Sequence, residues 1–448
     1  MNKKIHNIAI KSIAGLIMVV AAMILVSPRV YAFPLEKYAQ NSVLSEGKWV
    51  KVSVTETGMH LITTADLKKW GFSDPSKVKV YGYGGRRISD KLVSANYIDD
   101  LPQVASVHTS RGLMFYGVGP VTWSTKSSHF VHSLNPFSTV GYYFLSDKEA
   151  EPCEIPVVGR PSVTDESSLS ETFVDRVFHE KDLMSAGETG HMLLGEDFKY
   201  STNQNFVFET PDNQGETVWM RCSFVTKTYA STSLRFTANG VEQEYSPSDI
   251  VKASSNTPYT HCSEGVIEKN LNVTGDKITL GVSYNSSVTV HLARLNYLTL
   301  NYNRLMKMRD GKLDFRASAT AQKLRGATSE TRVWDVTNPL EIKEMDKAVS
   351  GDAVIWTNVY TGRREYTARD ENGTFPSPTN EGMVANQNLH ALEVPDMVIF
   401  TIGQWHAQAE RIADLHRNSI DSLEVLVINQ DEVFNEFSSG TRDVNSFR

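Results

Sequence analysis

The feature that most limits what this chain can fold into is a change of hydrophobic period at Pro395. Before it, from Trp49 onward, apolar residues recur at every second position or in short runs bounded by Gly, Pro, Asn and Asp. That is the pattern of strands, whose side chains alternate across the pleat. After it, an apolar run at 397–401 leads to a stretch of helical period at 404–417, a second apolar run at 423–428 and a short helical stretch at 431–437. Strand, helix, strand, helix is the order of a parallel α/β sheet. The expected fold class is therefore mainly β, with sandwich or jelly-roll-like domains, followed by the start of an α/β domain. The helical period places Trp405, Ala409, Ile412 and Leu415 toward one side, and Asp443 at the cap of a next helix. Two strands cannot form a sheet covered on both faces, so the expectation is a domain that opens at 395 and stops one turn into its next helix, as in a truncated product or partial gene.

The β part divides by composition. Residues 33–150 read as a β-rich N-terminal domain, with a short helix at 65–70 capped by Thr63 or Thr64. Residues 150–172, rich in Pro, Ser, Asp and Glu, read as a linker. Residues 173–305 read as a β-sandwich or jelly-roll-like domain. There Asn239-Gly240, between the alternating segments 234–238 and 241–245, predicts a two-residue hairpin turn that needs positive φ at both positions. Val218, Met220, Cys222 and Phe224 alternate onto one apolar face. Residues 306–394 read as a third β-rich segment, and 395–448 as the α/β start.

The first 32 residues are an address. Lys3, Lys4 and Lys11 precede an apolar run at 13–26, and Val30-Tyr31-Ala32 offers a cleavage point before Phe33. This predicts a signal peptide and an exported protein. The formal net charge of -7, made more acidic by loss of the leader, excludes the basic face that nucleic-acid binding requires. Three cysteines exclude a disulfide scaffold, with Cys222 expected in the core, a Cys222–Cys262 bridge left open and Cys153 without an obvious partner.

Motifs with chemical promise are few. Tyr81-Gly82-Tyr83-Gly84-Gly85-Arg86-Arg87 resembles a phosphate loop, but no helical period follows at once, so a Gly-rich hairpin or a close backbone crossing is expected instead. His261-Cys262 are neighbours whose side chains diverge in an extended chain, which argues against a nucleophile–base pair. His129 and His132 lack a third metal ligand, and Asp99-Asp100 could meet a cation, although a solvated loop is the stronger expectation. No residue is assigned a catalytic, cofactor-binding or metal role, and no cofactor is expected.

Several strings in sequence carry a resemblance. They are Val80-Tyr81-Gly82-Tyr83-Gly84-Gly85, Asp99-Asp100-Leu101-Pro102, Phe115-Tyr116-Gly117-Val118-Gly119-Pro120, Phe178-His179-Glu180-Lys181-Asp182, Val333-Trp334-Asp335-Val336-Thr337-Asn338-Pro339 and Asn386-Gln387-Asn388-Leu389-His390. In this order the chain resembles the N-terminal portion of the type IX secretion sortases of Bacteroidota, in the gingipain-type cysteine peptidase family, and 395–448 resembles the opening of that family's caspase-like domain. The resemblance implies a secreted, cell-surface cysteine peptidase that removes C-terminal signal domains from exported proteins and attaches the cargo to anionic lipopolysaccharide. It implies partners among outer-membrane secretion components, and a location at the outer membrane surface or in the periplasm. No position here matches the family's histidine or cysteine motif, so both are expected beyond Arg448 and the chain alone is expected to be inactive. The alternative is a non-catalytic surface β-module that binds glycan or protein partners through aromatics such as Trp219, Trp334, Trp356, Tyr142 and Tyr143.

Overall fold

The structure, a computed structural model, describes residues 38–90, 97–163, 169–187, 192–252 and 262–448. The expected signal peptide at 1–32 lies outside the described residues. Strands dominate, as the alternation demands, and three α-helices occur among the described residues: α1 (Thr64–Lys69), α2 (His406–Arg417) and α3 (Gln430–Phe437). None is long and apolar enough to cross a membrane.

The first body is a five-stranded antiparallel sheet, in the order Thr379–Val384, Trp49–Val54, Gly141–Ser146, Lys79–Tyr81, Gln103–Val104. A three-stranded sheet of Gly58–Thr63, Gly112–Gly117 and Ser106–Thr109 lies against it, and Val52, Val54, Ile62, Leu113 and Phe115 share its core. α1 begins where expected, because the Thr63 hydroxyl accepts the Asp66 N–H at 3.1 Å.

The second body is a sandwich. One sheet runs Thr172–Glu180, Val290–Leu305, Thr217–Thr228, Ser263–Asn272, and the other contains Asn203–Glu209, Lys277–Asn285 and Thr232–Ala238. Their inner faces meet over Phe206, Phe224, Phe236, Leu280 and Leu295. Val218, Met220, Cys222 and Phe224 all point into this core. Cys222 and Cys262 are not joined, and all three cysteines are free thiols. Asn239 and Gly240 both take positive φ, 49° and 82°, as the predicted turn requires. A Cβ on Gly240 would meet nothing, so a Gly240→Ala chain isolates the backbone cost. It is expected to lose about 1–2 kcal/mol in thermal unfolding.

The third body pairs a sheet of Val157–Val158, Lys343–Met345, Thr331–Asp335, Arg364–Asp370 and Lys312–Ala317 with one of Leu169–Ser170, Ala321–Arg325, Ala353–Thr357 and Ala348–Ser350. Phe315 stacks on Tyr366 in its core, and Trp356 meets both rings edge-on. Residues 157–158 and 169–170, inside the stretch expected to be a linker, are edge strands here. Their parallel pairing to 344–345 and 321–322 gives the polar composition a structural place that local pattern does not reveal.

A two-stranded arm, Val121–Lys126 with His129–Leu134, reaches from the first body across the other two. His129 stacks on Trp219 at 4.1 Å, His132 stacks on Phe178 at 4.1 Å, and the arm covers the outer side of the Thr217–Thr228 strand. Phe130 lies under the guanidinium groups of Arg176, Arg316 and Arg363, at 4.7, 5.6 and 4.7 Å. Arg176 and Arg316 keep their carboxylate partners, Glu365 and Asp175.

In the α/β segment, Met397–Thr401 pairs in parallel with Val425–Asn429, and α2 crosses between them. Ala409 and Ala413 face the strands, whereas Ile412 and Leu415 are 50% and 74% exposed. The helix therefore buries a face rotated from the expected one. The physical reason is that two alanines four residues apart allow the closest backbone approach, which outweighs larger side chains on the neighbouring stripe.

Candidate functional site at the junction with the α/β segment

The glycine-rich loop is a socket. Gly82 and Gly84 take φ of 114° and 68°, and no helix begins in the described residues that follow, up to Asp90. A Cβ on Gly85 would lie 2.5 Å from the Gly119 oxygen, and one on Gly82 would lie 2.5 Å from the Ser439 hydroxyl. The loop thus crosses the 117–120 backbone at close range, as expected, and also receives the turn after α3. That turn forms because Ser439 and Gly440 adopt positive φ and the Gly440 N–H closes on the Phe434 carbonyl at 2.7 Å. The Tyr83 N–H donates to Ser439 Oγ at 3.0 Å, and Ser439 Oγ donates to the Tyr142 carbonyl at 2.9 Å. Tyr83 Oη donates to the Phe437 carbonyl at 3.0 Å. One turn later the Ile88 N–H donates to Asp443 Oδ2 at 2.8 Å, while Asp443 also caps the Val444–Phe447 turn as the spacing predicted.

Two charged groups flank the socket. Lys51 Nζ donates to Asn435 Oδ1 at 3.0 Å and to the Gly440 carbonyl at 3.2 Å, and lies 4.4 Å above the Tyr142 ring. Burial, with Arg442 adding to it and Asp431 and Glu381 opposing, brings its amine down to about 8. It borders a cleft of about 790 Å³ shared with Glu381, Asp431 and Arg442. On the other side His390 lies between Asp99 and Glu436, over the Phe437 ring at 4.7 Å. An apolar cavity of about 570 Å³, walled by Tyr38, Leu389, Val398, Phe400 and Leu426, adjoins this cluster.

The positions singled out in the sequence fall in different places. Asp99 and Asp100 are not in a solvated loop. Asp100 is buried, with Ser42 Oγ and the Val43 N–H donating to it at 3.1 and 2.6 Å, and Asp99 meets His390. His132 is buried in the arm, hydrogen-bonded to Thr299 and Glu180, and His129 is part of an aromatic stack. His261 lies outside the described residues. Burial pushes the thiols of Cys153, Cys222 and Cys262 up, the opposite of what activates a cysteine nucleophile. Trp334, Trp356 and Tyr143 are fully buried, so they offer no aromatic face to a glycan. Sequence reasoning missed Lys51, His390 and Glu436, because their significance comes from contacts between residues 46 to 384 positions apart.

Residues 390–448 match the model of peptidase family C25, so the segment seated in the socket is similar to part of that family. The chain as a whole is similar to PorU of Porphyromonas gingivalis, solved as a dimeric latent form, with 26% identity and a TM-score of 0.81 over 92% of this chain and 40% of that one. The two findings bear out the resemblance drawn from the sequence motifs, and with it a mainly β architecture leading into a caspase-like start. The chain spans about 40% of the length of PorU. A family 35 carbohydrate-binding module from Clostridium thermocellum matches 29% of the chain, covering 90% of the module, at 14% identity and a TM-score of 0.17. No curated protein matches the chain.

Proposed function

We propose that this chain is the N-terminal portion of an exported cysteine peptidase that acts as a type IX sortase. It would remove C-terminal signal domains from secreted cargo and join the cargo to anionic lipopolysaccharide at the outer membrane surface. The observation that carries this reading is the seating of a C25 opening, residues 390–448, on β bodies whose fold follows PorU through 92% of the chain. The reaction class is acyl transfer. A thiolate attacks a peptide carbonyl, backbone donors hold the oxyanion, the C–N bond breaks as the signal domain leaves as a protonated amine, and an amine or water then displaces the thiolate from the thioester. No residue of this chain is given the histidine or cysteine role in that chemistry. The role of this chain's own residues is to hold the peptidase domain: the Tyr83–Ser439 and Ile88–Asp443 bonds fix its edge, and the arm keeps the three β bodies in one arrangement.

The test compares the 448-residue chain with one extended in frame by the remainder of a peptidase domain, on a cargo protein bearing a C-terminal signal domain. Cleavage and amine transfer, abolished by thiol alkylation, are expected from the longer chain alone. Turnover by the 448-residue chain itself, or none by the longer one, would overturn the proposal.

A further inference from the structure

The connection between strand Thr379–Val384 and strand Met397–Thr401 passes through one cation surrounded by carboxylates. We propose that this connection is a charge-operated joint: a doubly protonated His390 ties the α/β segment to the N-terminal β body, and loss of its proton releases the segment.

The geometry favours the charge. His390 Nδ1 lies 2.6 Å from Glu436 Oε2, and Nε2 lies 3.2 Å from Asp99 Oδ1. With both acids ionised their oxygens only accept, so both ring nitrogens donate, and only the imidazolium carries two N–H groups. Removing either proton turns one hydrogen bond into a lone pair facing an anion. Neither side can turn away, because the His390, Asp99 and Glu436 side chains are 3%, 9% and 0% exposed.

Every element around the ring contributes to the balance. From the 97–100 stretch come Asp99, Asp100 and Tyr97, whose hydroxyl donates to Asp99 at 3.0 Å. The 38–45 stretch contributes the Ala39 N–H to Asp99, along with the neutral Ser42 and Val43 donors to Asp100. α3 contributes Glu436, and the neighbouring Asn435 binds Lys51 and Gln387. Glu436 also accepts the backbone N–H groups of Leu389 and His390 and the Gln387 amide, so the connection is wrapped around one carboxylate. Among the described residues, His390 is the one cation paired with Asp99 or Glu436.

Burial disfavours the imidazolium, but the hydrogen bonds to Asp99 and Glu436 and the field of Asp99 and Asp100 outweigh it and raise the group to about 9. Because the shift is upward, its stabilisation is complete below the ordinary histidine value of about 6.5 and is lost as pH rises through about 9. Docking should weaken on the order of a hundredfold across that interval. Asp99 is held below the usual carboxylate range by His390 although burial pulls the other way, so its share persists on the acid side.

The experiment follows selectively labelled histidine by NMR in the 448-residue chain, with protease cutting within 385–396 measured from pH 6 to 10 and normalised to an unfolded substrate. His390 should titrate near 9, and cutting should rise through the same pH and reverse on return. Asp99→Asn should move both midpoints down by about a unit or more, a displacement that a merely structural contact would not produce. His390→Gln should give raised cutting with no pH step. A His390 titrating at or below 6.5, cutting that is flat from pH 7 to 10, or midpoints unmoved by Asp99→Asn would overturn the joint.

Discussion

A Gly141→Ala chain is expected to lose about 3 kcal/mol of stability, read as a lowered urea midpoint, and to expose the junction to protease. The added Cβ would stand 2.1 Å from the Val118 oxygen, 2.4 Å from the Gly85 nitrogen and 3.0 Å from the Gly84 carbonyl carbon, all of them backbone atoms. A flexible side chain can swing aside, but three backbone atoms move only if two crossing strands separate. Separation breaks the Gly85 N–H bond to the Val118 carbonyl, now 2.9 Å, and the Asn135 amide's bond to Gly85 at 3.0 Å. The loop that opens is the socket holding Ser439, so a single methyl group in the first body should loosen the peptidase segment. Stability within about 0.5 kcal/mol of the parent chain would show that the crossing is not tight.

The second large effect is expected at Glu436, whose replacement by alanine should cost about 3–5 kcal/mol in docking of the α/β segment. Its carboxylate is completely buried and accepts from Leu389, His390 and Gln387. Truncation would leave those donors without an acceptor in a site water does not reach, and would strand an imidazolium beside Asp99 alone. Hydrogen exchange of the α3 amides reports the loss directly. Glu436→Gln should fall between the parent chain and Glu436→Ala, since its amide oxygen still accepts from some of these donors but its NH₂ faces the others. Unchanged α3 protection in Glu436→Ala would refute the assignment.

Where local chemistry decides an element, it was legible in the sequence. Thr63 capping α1, Asn239-Gly240 turning a hairpin, Asp443 capping the last turn and the change of period at Pro395 each act within a few residues. The close crossing at the glycine loop was legible for the same reason, from the missing helix after it. What stayed hidden was the identity of partners. Nothing near Glu436 indicates that its acceptors serve a histidine 46 residues earlier, and nothing near Asp99 indicates the same histidine 291 residues later. The buried face of α2 was misjudged because periodicity weighs apolar size, whereas contact distance is set by the smallest side chains, Ala409 and Ala413.

The return of strand Thr379–Val384 to the first sheet has a consequence for how such a chain is made. Val50 pairs with Met383, so the sheet that begins first in synthesis receives its outer strand about 330 residues later. Until then strand Trp49–Val54 has one unpaired edge and a groove where the late strand belongs, and the second and third bodies can close on their own cores in the meantime. Completion of the first body is thus a checkpoint in assembly order. The same strand that closes the sheet leads into the 385–396 connection held by Glu436, so the α/β segment emerges just as the platform beneath it is finished.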